Sequence, residues 1–165
     1  MYRKISDFEE RWREEAEATL KIFGALTEQS LAQSVKPGGR TLARLAWHLT
    51  VSLHEMCDEA KLPVDGPRGV TEPPALPEIV RQYDKQSQAL ATTVAKHWTD
   101  AMLAEKVPMY GEEWTRGKVL DVIIAHQTHH RGQMTVLMRQ AGLAVPGIYG
   151  PAYEEWVAYN MPPQP

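Results

Sequence analysis

The sequence predicts an all-α fold, a four-helix bundle with crossover connections. Three observations lead there: four stretches with apolar residues at three- and four-residue steps, proline- and glycine-rich breaks between them, and no sustained period-two alternation. At 165 residues, 43% hydrophobic and 24% charged, the chain has the size and balance of one globular domain spanning 1–165.

The first helix is expected to start at Ser6, where S-D-F-E reads as a capping box, and to run to about Ala32. Phe8, Trp12, Ala16, Leu20, Phe23 and Leu31 form its stripe. After the break at K-P-G-G, a second helix is expected from Thr41 to about Lys61, with Leu42, Leu45, Leu49, Leu53, Met56 and Ala60 on one side. The proline-rich connection from Leu62 to Leu76 is long enough to cross the bundle, which favours one or two crossovers over simple up-down-up-down. A third helix opens at Pro77, a suitable first-turn proline, and runs to about Trp98. Between Pro108 and Trp114 there is room for a short hairpin. The fourth helix runs from Thr115 as N-cap to Ala141, with Gly142 as its C-cap. From about Tyr149 the chain becomes an aromatic tail, GIYGPAYEEW, able to fold over the bundle mouth or to pack on a second subunit.

Composition removes several function classes. Net charge is −3 with a pI near 6.1, and the basic residues are scattered, so neither nucleic acid nor a membrane surface is expected as partner. The N-terminal stretch lacks a signal-type apolar core, and no run approaches the roughly 20 apolar residues of a membrane span. Cys57 is the sole cysteine, which suits a reducing, cytoplasmic setting.

The six histidines are distributed unevenly: three fall in IIAHQTHHRGQM. At about 100° per residue, His126 and His130 lie about 40° apart, in the middle of a stripe with Val119, Ile123, Met134 and Leu137. His129 falls on the shoulder, and Thr128, Arg131 and Arg139 fall on the solvent-like arc. Two imidazoles one turn apart on a buried face need partners, since an unsatisfied buried polar group costs about 1–3 kcal/mol. A divalent metal satisfies both at once; hydrogen bonds to a neighbouring helix or a buried water are the bland alternative. A third ligand is expected from His48, His54 or His97. His48 is favoured by position, on a polar flank of the second helix with Arg44, Ser52, Glu55 and Glu59. His54 points elsewhere and His97 ends the third helix.

These motifs resemble the DinB family, the YfiT-like metalloenzymes. The match rests on H-Q-T-H-H-R-G-Q followed by M-T-V-L-M-R-Q-A-G, supported by R-T-L-A-R-L-A-W-H-L and G-E-E-W-T-R-G-K, and covers roughly Ser6 to Pro151. The resemblance implies a crossover four-helix bundle in which His48, His126 and His130 hold a divalent metal. Members of the family are often homodimers, and some are thiol transferases using glutathione, bacillithiol or mycothiol. An extra C-terminal domain, as in the mycothiol-dependent isomerases, is not expected after Pro165.

Three neutral ligands leave a dication uncompensated with a position open, which lowers the pKa of water or a thiol there. Imidazole suits zinc, nickel and iron alike. A transferase of thiol S-transferase type, or a hydrolase, acting on a small molecule is therefore expected, with a low-molecular-weight thiol as the cosubstrate in the first case. The alternative is a non-catalytic metal-binding bundle acting as a stress-related sensor or interaction module. Cys57 falls on the buried side and is not expected to react. Glu55 is the general-base candidate, with a solvated surface glutamate as its bland reading, and Gln133 is placed to orient a ligand. Trp47 and Val51, with His54 beside them, form a separate strip that suggests a homodimer contact or a docked tail.

Overall fold

Helix α1 (Ile5–Gly24) begins one residue before the expected capping box, and that box does not form. In the computed structural model, which describes residues 2–68 and 72–163, the Ile5 amide instead donates to Asp100 Oδ1 at 2.8 Å, a cap supplied from beyond the third helix. The helix stops at Gly24 rather than Ala32. Thr27 then caps a separate 3₁₀ turn, Glu28–Ala32: its hydroxyl accepts from the Ser30 amide, and Ser30 Oγ accepts from the Thr27 amide. This reciprocal pair breaks the helix where apolar spacing alone ran on to Leu31.

K-P-G-G forms a β-turn, with the Gly39 amide donating to Lys36 O at 2.9 Å. Pro37 occupies its second position and Gly38, at φ +70°, its third, the arrangement of a type II turn. Thr41 next caps α2 (Leu42–Glu59) by accepting from the Arg44 amide. Helix α3 spans Leu76–His97 with Pro77 in its first turn. A 3₁₀ turn, Asp100–Ala104, leads into the hairpin of β1 (Lys106–Met109) and β2 (Glu112–Thr115), paired antiparallel from Lys106–Thr115 to Met109–Glu112. Tyr110 and Gly111 both take positive φ at its tip, as a type I′ turn requires. Helix α4 (Arg116–Gln140) is capped by Thr115. Its end is closed by Gly142 at φ +74°, whose amide reaches Arg139 O, and by the Leu143 amide reaching Met138 O.

Packing places α1 and α2 each against both α3 and α4. The pairings also give direction. Ile5 meets Asp100 and Trp12 Nε1 donates to Ser87 O, so α1 and α3 are antiparallel. Arg131 reaches Glu15, and Lys21 reaches Gly147 beyond α4, so α1 and α4 are parallel. His48 meets His126 and His130, and Gln127 Nε2 donates to Leu49 O, while Leu45 shares a cavity with Leu137, so α2 and α4 are antiparallel. It follows that α2 and α3 are parallel neighbours, and their connection has to return along the bundle. The expected crossover is present. No described helix is long and apolar enough to cross a membrane.

That connection also explains the second strip on α2. Trp47 and His54 are buried, and His54 Nδ1 donates to Val64 O at 2.6 Å within the connection. Leu62 and Val64 are buried beside it, and a Cβ on Gly66 would fall 2.5 Å from His54 Cβ and 2.3 Å from Gln86 Oε1. Of the strip expected to meet a second subunit, Trp47 and His54 are buried within the chain, His54 by the connection, and Val51 is half-buried.

Helix α4 departs from its helical-wheel reading. Its buried residues include Leu120, Ile124, Gln127, Arg131 and Met138, which widens the arc well past the expected stripe. His126 and His130 therefore sit at one edge of the buried face, not its middle. Arg131, expected on the solvent side, is 2% exposed and ion-paired with Glu15, itself 1% exposed. Arg131 Nη1 also donates to Glu15 O at 2.8 Å and Thr19 Oγ1 at 2.9 Å. Tyr149 closes the network, donating to Glu15 Oε2 at 2.7 Å. The tail thus folds back onto α1 and α4, away from the histidines.

Burial pushes the Glu15 carboxyl up, but hydrogen bonds from Arg131 and Tyr149 and the charges of Arg131 and Arg11 outweigh it and hold its pKa below the usual range. Removing one partner of a buried pair strands the other, at about 3–5 kcal/mol. Glu15→Gln is therefore expected to lower unfolding stability by about that amount at pH 7 in denaturant titration. A carboxyl with a depressed folded pKa stabilises fully above its unfolded value and loses this contribution as pH falls through the folded one. The gap between wild type and variant should accordingly close below about pH 4, and a gap that persists there would contradict the charge-based account.

Candidate metal centre

The α2–α4 face brings together one histidine from the middle of α2 and two from the middle of α4. His48 Nε2 lies 3.1 Å from His126 Nε2 and 3.1 Å from His130 Nε2, and the three form a group able to hold a metal ion. Imidazole nitrogens about 2.0–2.1 Å from a common ion stand about 2.9–3.4 Å apart for right-angle to tetrahedral arrangements. The observed spacing falls in that window.

Proton placement strengthens the fit. His130 Nδ1 is 2.8 Å from Gln133 Oε1, an acceptor, so that nitrogen carries the proton and Nε2 the lone pair. Ser52 spends its hydroxyl proton on Leu49 O, which leaves Ser52 Oγ as acceptor for His126 Nδ1 at 3.5 Å. His126 Nε2 likewise turns a lone pair inward. Two lone pairs aimed at one point repel unless a proton or a cation lies between them, and a hydrogen-bonded second nitrogen is the usual support of a ligating histidine.

Burial, followed by the charges of His130, Arg40 and Arg44, lowers the His48 pKa to about 4. Burial and the neighbouring rings, with Arg40, take His126 to about 4 as well. His130 is also lowered, by burial first, with Gln133 opposing and His129 and Arg40 assisting. All three are neutral near pH 7, the form that binds metal.

Of the other expected site residues, Gln133 is exposed and joins two rings, its Oε1 on His130 and its Nε2 3.0 Å from His129 Nε2. Glu55 stands apart from the three rings: it is exposed, and its carboxylate holds the Tyr110 hydroxyl of the hairpin. His54 is bound to the connection, as described above, and His97 is exposed at the end of α3. Burial lifts the Cys57 thiol to about 12, so it is inert. Ser52 lies on the His48 flank, where the sequence gives it no role, and Arg40 lies in the loop before α2, where helical periodicity gives no information.

Comparison with known proteins agrees with this architecture. The sequence model of the DinB family matches residues 1–164. The chain is 39% identical over 162 residues to the uncharacterized protein YrdA of Bacillus subtilis (strain 168), covering 98% of this chain and 97% of that protein. A crystal structure of a DinB-like protein from Bacillus cereus ATCC 10987 superposes with a TM-score of 0.86 at 38% identity, covering 90% of this chain and all of that one. The DinB-like protein YjoA of Bacillus subtilis, 15% identical with a TM-score of 0.69, shares the fold across 88% of this chain and 99% of its own. The chain belongs to the DinB family.

Alanine at His48, His126 or His130 is expected to abolish tight zinc binding in competition with a chromophoric chelator, whereas alanine at His54 or His97 should leave it unchanged. Gln133→Ala is expected to weaken binding by about 10–100-fold. Unchanged affinity in that variant would mean that the bridge does not orient His130.

Proposed function

We propose that this DinB-family protein is a metal-dependent enzyme acting on a small molecule, a transferase of thiol S-transferase type or a hydrolase. The observation that carries the reading is the convergence of the inward-facing nitrogens of His48, His126 and His130 at the mouth of a half-open face. His126 and His48 are only half-buried, so a ligand can reach the point where the nitrogens meet. Zinc, nickel or iron would be held there by the three imidazoles, and when bound would lower the pKa of a thiol or water beside it.

The protein's own groups do the rest of the work. Gln133 and Ser52 hold the α4 imidazoles in the ligating tautomer. Arg40 and Arg44 add positive potential, which favours an anionic nucleophile over its protonated form. Glu55, two turns beyond His48 on α2, is the proposed proton acceptor, and Tyr110 fixes its carboxylate. Since Cys57 is buried, any sulfur nucleophile has to come from a low-molecular-weight thiol. A cytoplasmic setting supplies such thiols. Assembly as a homodimer, carried over from the family, belongs to the same proposal, on a face other than the covered Trp47 strip.

The four helices already enclose a common apolar core, so the ion should serve chemistry more than folding. Treating the protein with a chelator is expected to abolish thiol conjugation to an electrophile such as chlorodinitrobenzene, and ester hydrolysis if that is the reaction, while leaving most of the helical circular dichroism. Glu55→Gln should reduce turnover without changing zinc affinity. Loss of helical signal on chelation at room temperature would mark the site as structural. Full metal occupancy with neither turnover nor thiol affinity would favour a metal-binding sensor instead.

A further inference from the structure

One turn from the three histidines, a cavity of roughly 460 Å³ opens between the Ser34–Thr41 loop and α4. Its volume is in the range of small-molecule sites. Its apolar wall is Val35, Leu45, Val136 and Leu137. Leu45 precedes His48 by one turn of α2, and the cavity is also lined by Gln133, which bonds His130. The cavity therefore adjoins the histidine group, with Gln133 standing between the two.

Charge at its rim is of one sign. Lys36 and Arg40 line it, and Arg44 follows Arg40 by one turn at the start of α2. The arginines of the described residues that form ion pairs are Arg11, Arg68, Arg81, Arg116, Arg131 and Arg139. Lys36, Arg40 and Arg44 are in none of those pairs. The type II turn at Lys36–Gly39 and the bridge between Ser34 and Thr41 hold the loop in a fixed shape, so both rim cations are presented from a preformed frame. The comparable groove between α1 and α3, around Trp12 and Ser87, has mixed charge at its edge, with Arg13 beside Glu9, Glu17 and Asp84, and lies on the opposite face.

We propose that this cavity is the substrate subsite of the histidine centre, and that it takes a compound whose apolar body ends in a carboxylate bound by Arg40 and Lys36. The assignment of the cavity to substrate rests on the enzymatic reading given above; the preference for an apolar anion rests on the cavity alone. An arginine fork pairs with a carboxylate through two parallel hydrogen bonds, and Val136, 53% exposed, gains by being covered.

Calorimetric titration with octanoate and with octanol separates these two levels. The purified protein is expected to bind octanoate at least about fivefold more tightly than octanol, a modest factor because Arg40 and Lys36 are exposed. Arg40→Gln together with Lys36→Gln should remove that difference, and Val136→Asp should weaken both ligands. Each of these positions is exposed, so the variants should fold. His130→Ala, which removes the proposed metal site, should leave octanoate binding in place. Equal binding of acid and alcohol, no binding of either, or octanoate binding that survives the double variant but not His130→Ala, would overturn the proposal. If octanoate binds as expected while the protein shows no metal-dependent turnover, the enzymatic reading fails and the apolar-anion site stands.

Discussion

The orientation of α4 is set by the buried ion pair between Arg131 and Glu15, and the rest of the site follows from it. Arg131 is the residue after His130. If α4 rotated enough to move the imidazoles into the core or out to solvent, it would pull a guanidinium away from the one carboxylate buried beside it. Stranding either charge costs several kcal/mol, more than most single side-chain contacts return. The pair is also well satisfied, with Arg131 donating to the Glu15 carbonyl and Thr19 as well as to the carboxylate. A buried ion pair adds little net stability compared with apolar residues of the same size, but it does specify register. Here the register it specifies is the azimuth of His126 and His130 against His48.

The same pair explains why α4 is the least clearly amphipathic of the four helices. It carries polar groups on both shoulders of its buried face, His126, His130 and Gln133 toward α2 and Thr128 and Arg131 toward α1, with Gln127 between them. Gln127 is buried at the middle, accepting from Tyr83 Oη of α3 and donating to Leu49 O of α2. A helix with two polar seams cannot be oriented by apolar periodicity alone. The wheel drawn from the sequence took the four apolar residues nearest the histidines as the centre of the stripe and so put Arg131 in solvent. Leu120, Ile124 and Met138, read with the others, move the centre toward Gln127.

What was legible in the sequence follows from this. The helices themselves were legible, because three of them bury one stripe and their caps at Thr41, Pro77, Thr115 and Gly142 are local signals. The histidine group was legible because an i, i+4 pair is also local. The features that were missed depend on partners distant in sequence: Asp100 capping α1, Glu15 drawing Arg131 inward, and the connection beyond Leu62 covering His54. The hairpin was visible only as turn residues, since strands of four residues are too short for alternation to emerge.

The two polar seams of α4 differ in one respect that bears on function. On the α1 side, the positive charge of Arg131 meets Glu15 within the chain, and Arg11 and Tyr149 complete the carboxylate's shell. On the α2 side, Arg40 and Arg44 add positive charge near the three neutral rings, and the group itself contains no carboxylate. Adding a dication to neutral imidazoles makes that side more positive still. A structural polar cluster is expected to close its own charge balance, as the Glu15 side does. A cluster that gathers donors and positive potential around an accessible point, next to an apolar cavity, leaves the balance to be closed from outside. The physical asymmetry between the two seams is thus the reason to look for the ligand, and for its negative charge, on the α2 side alone.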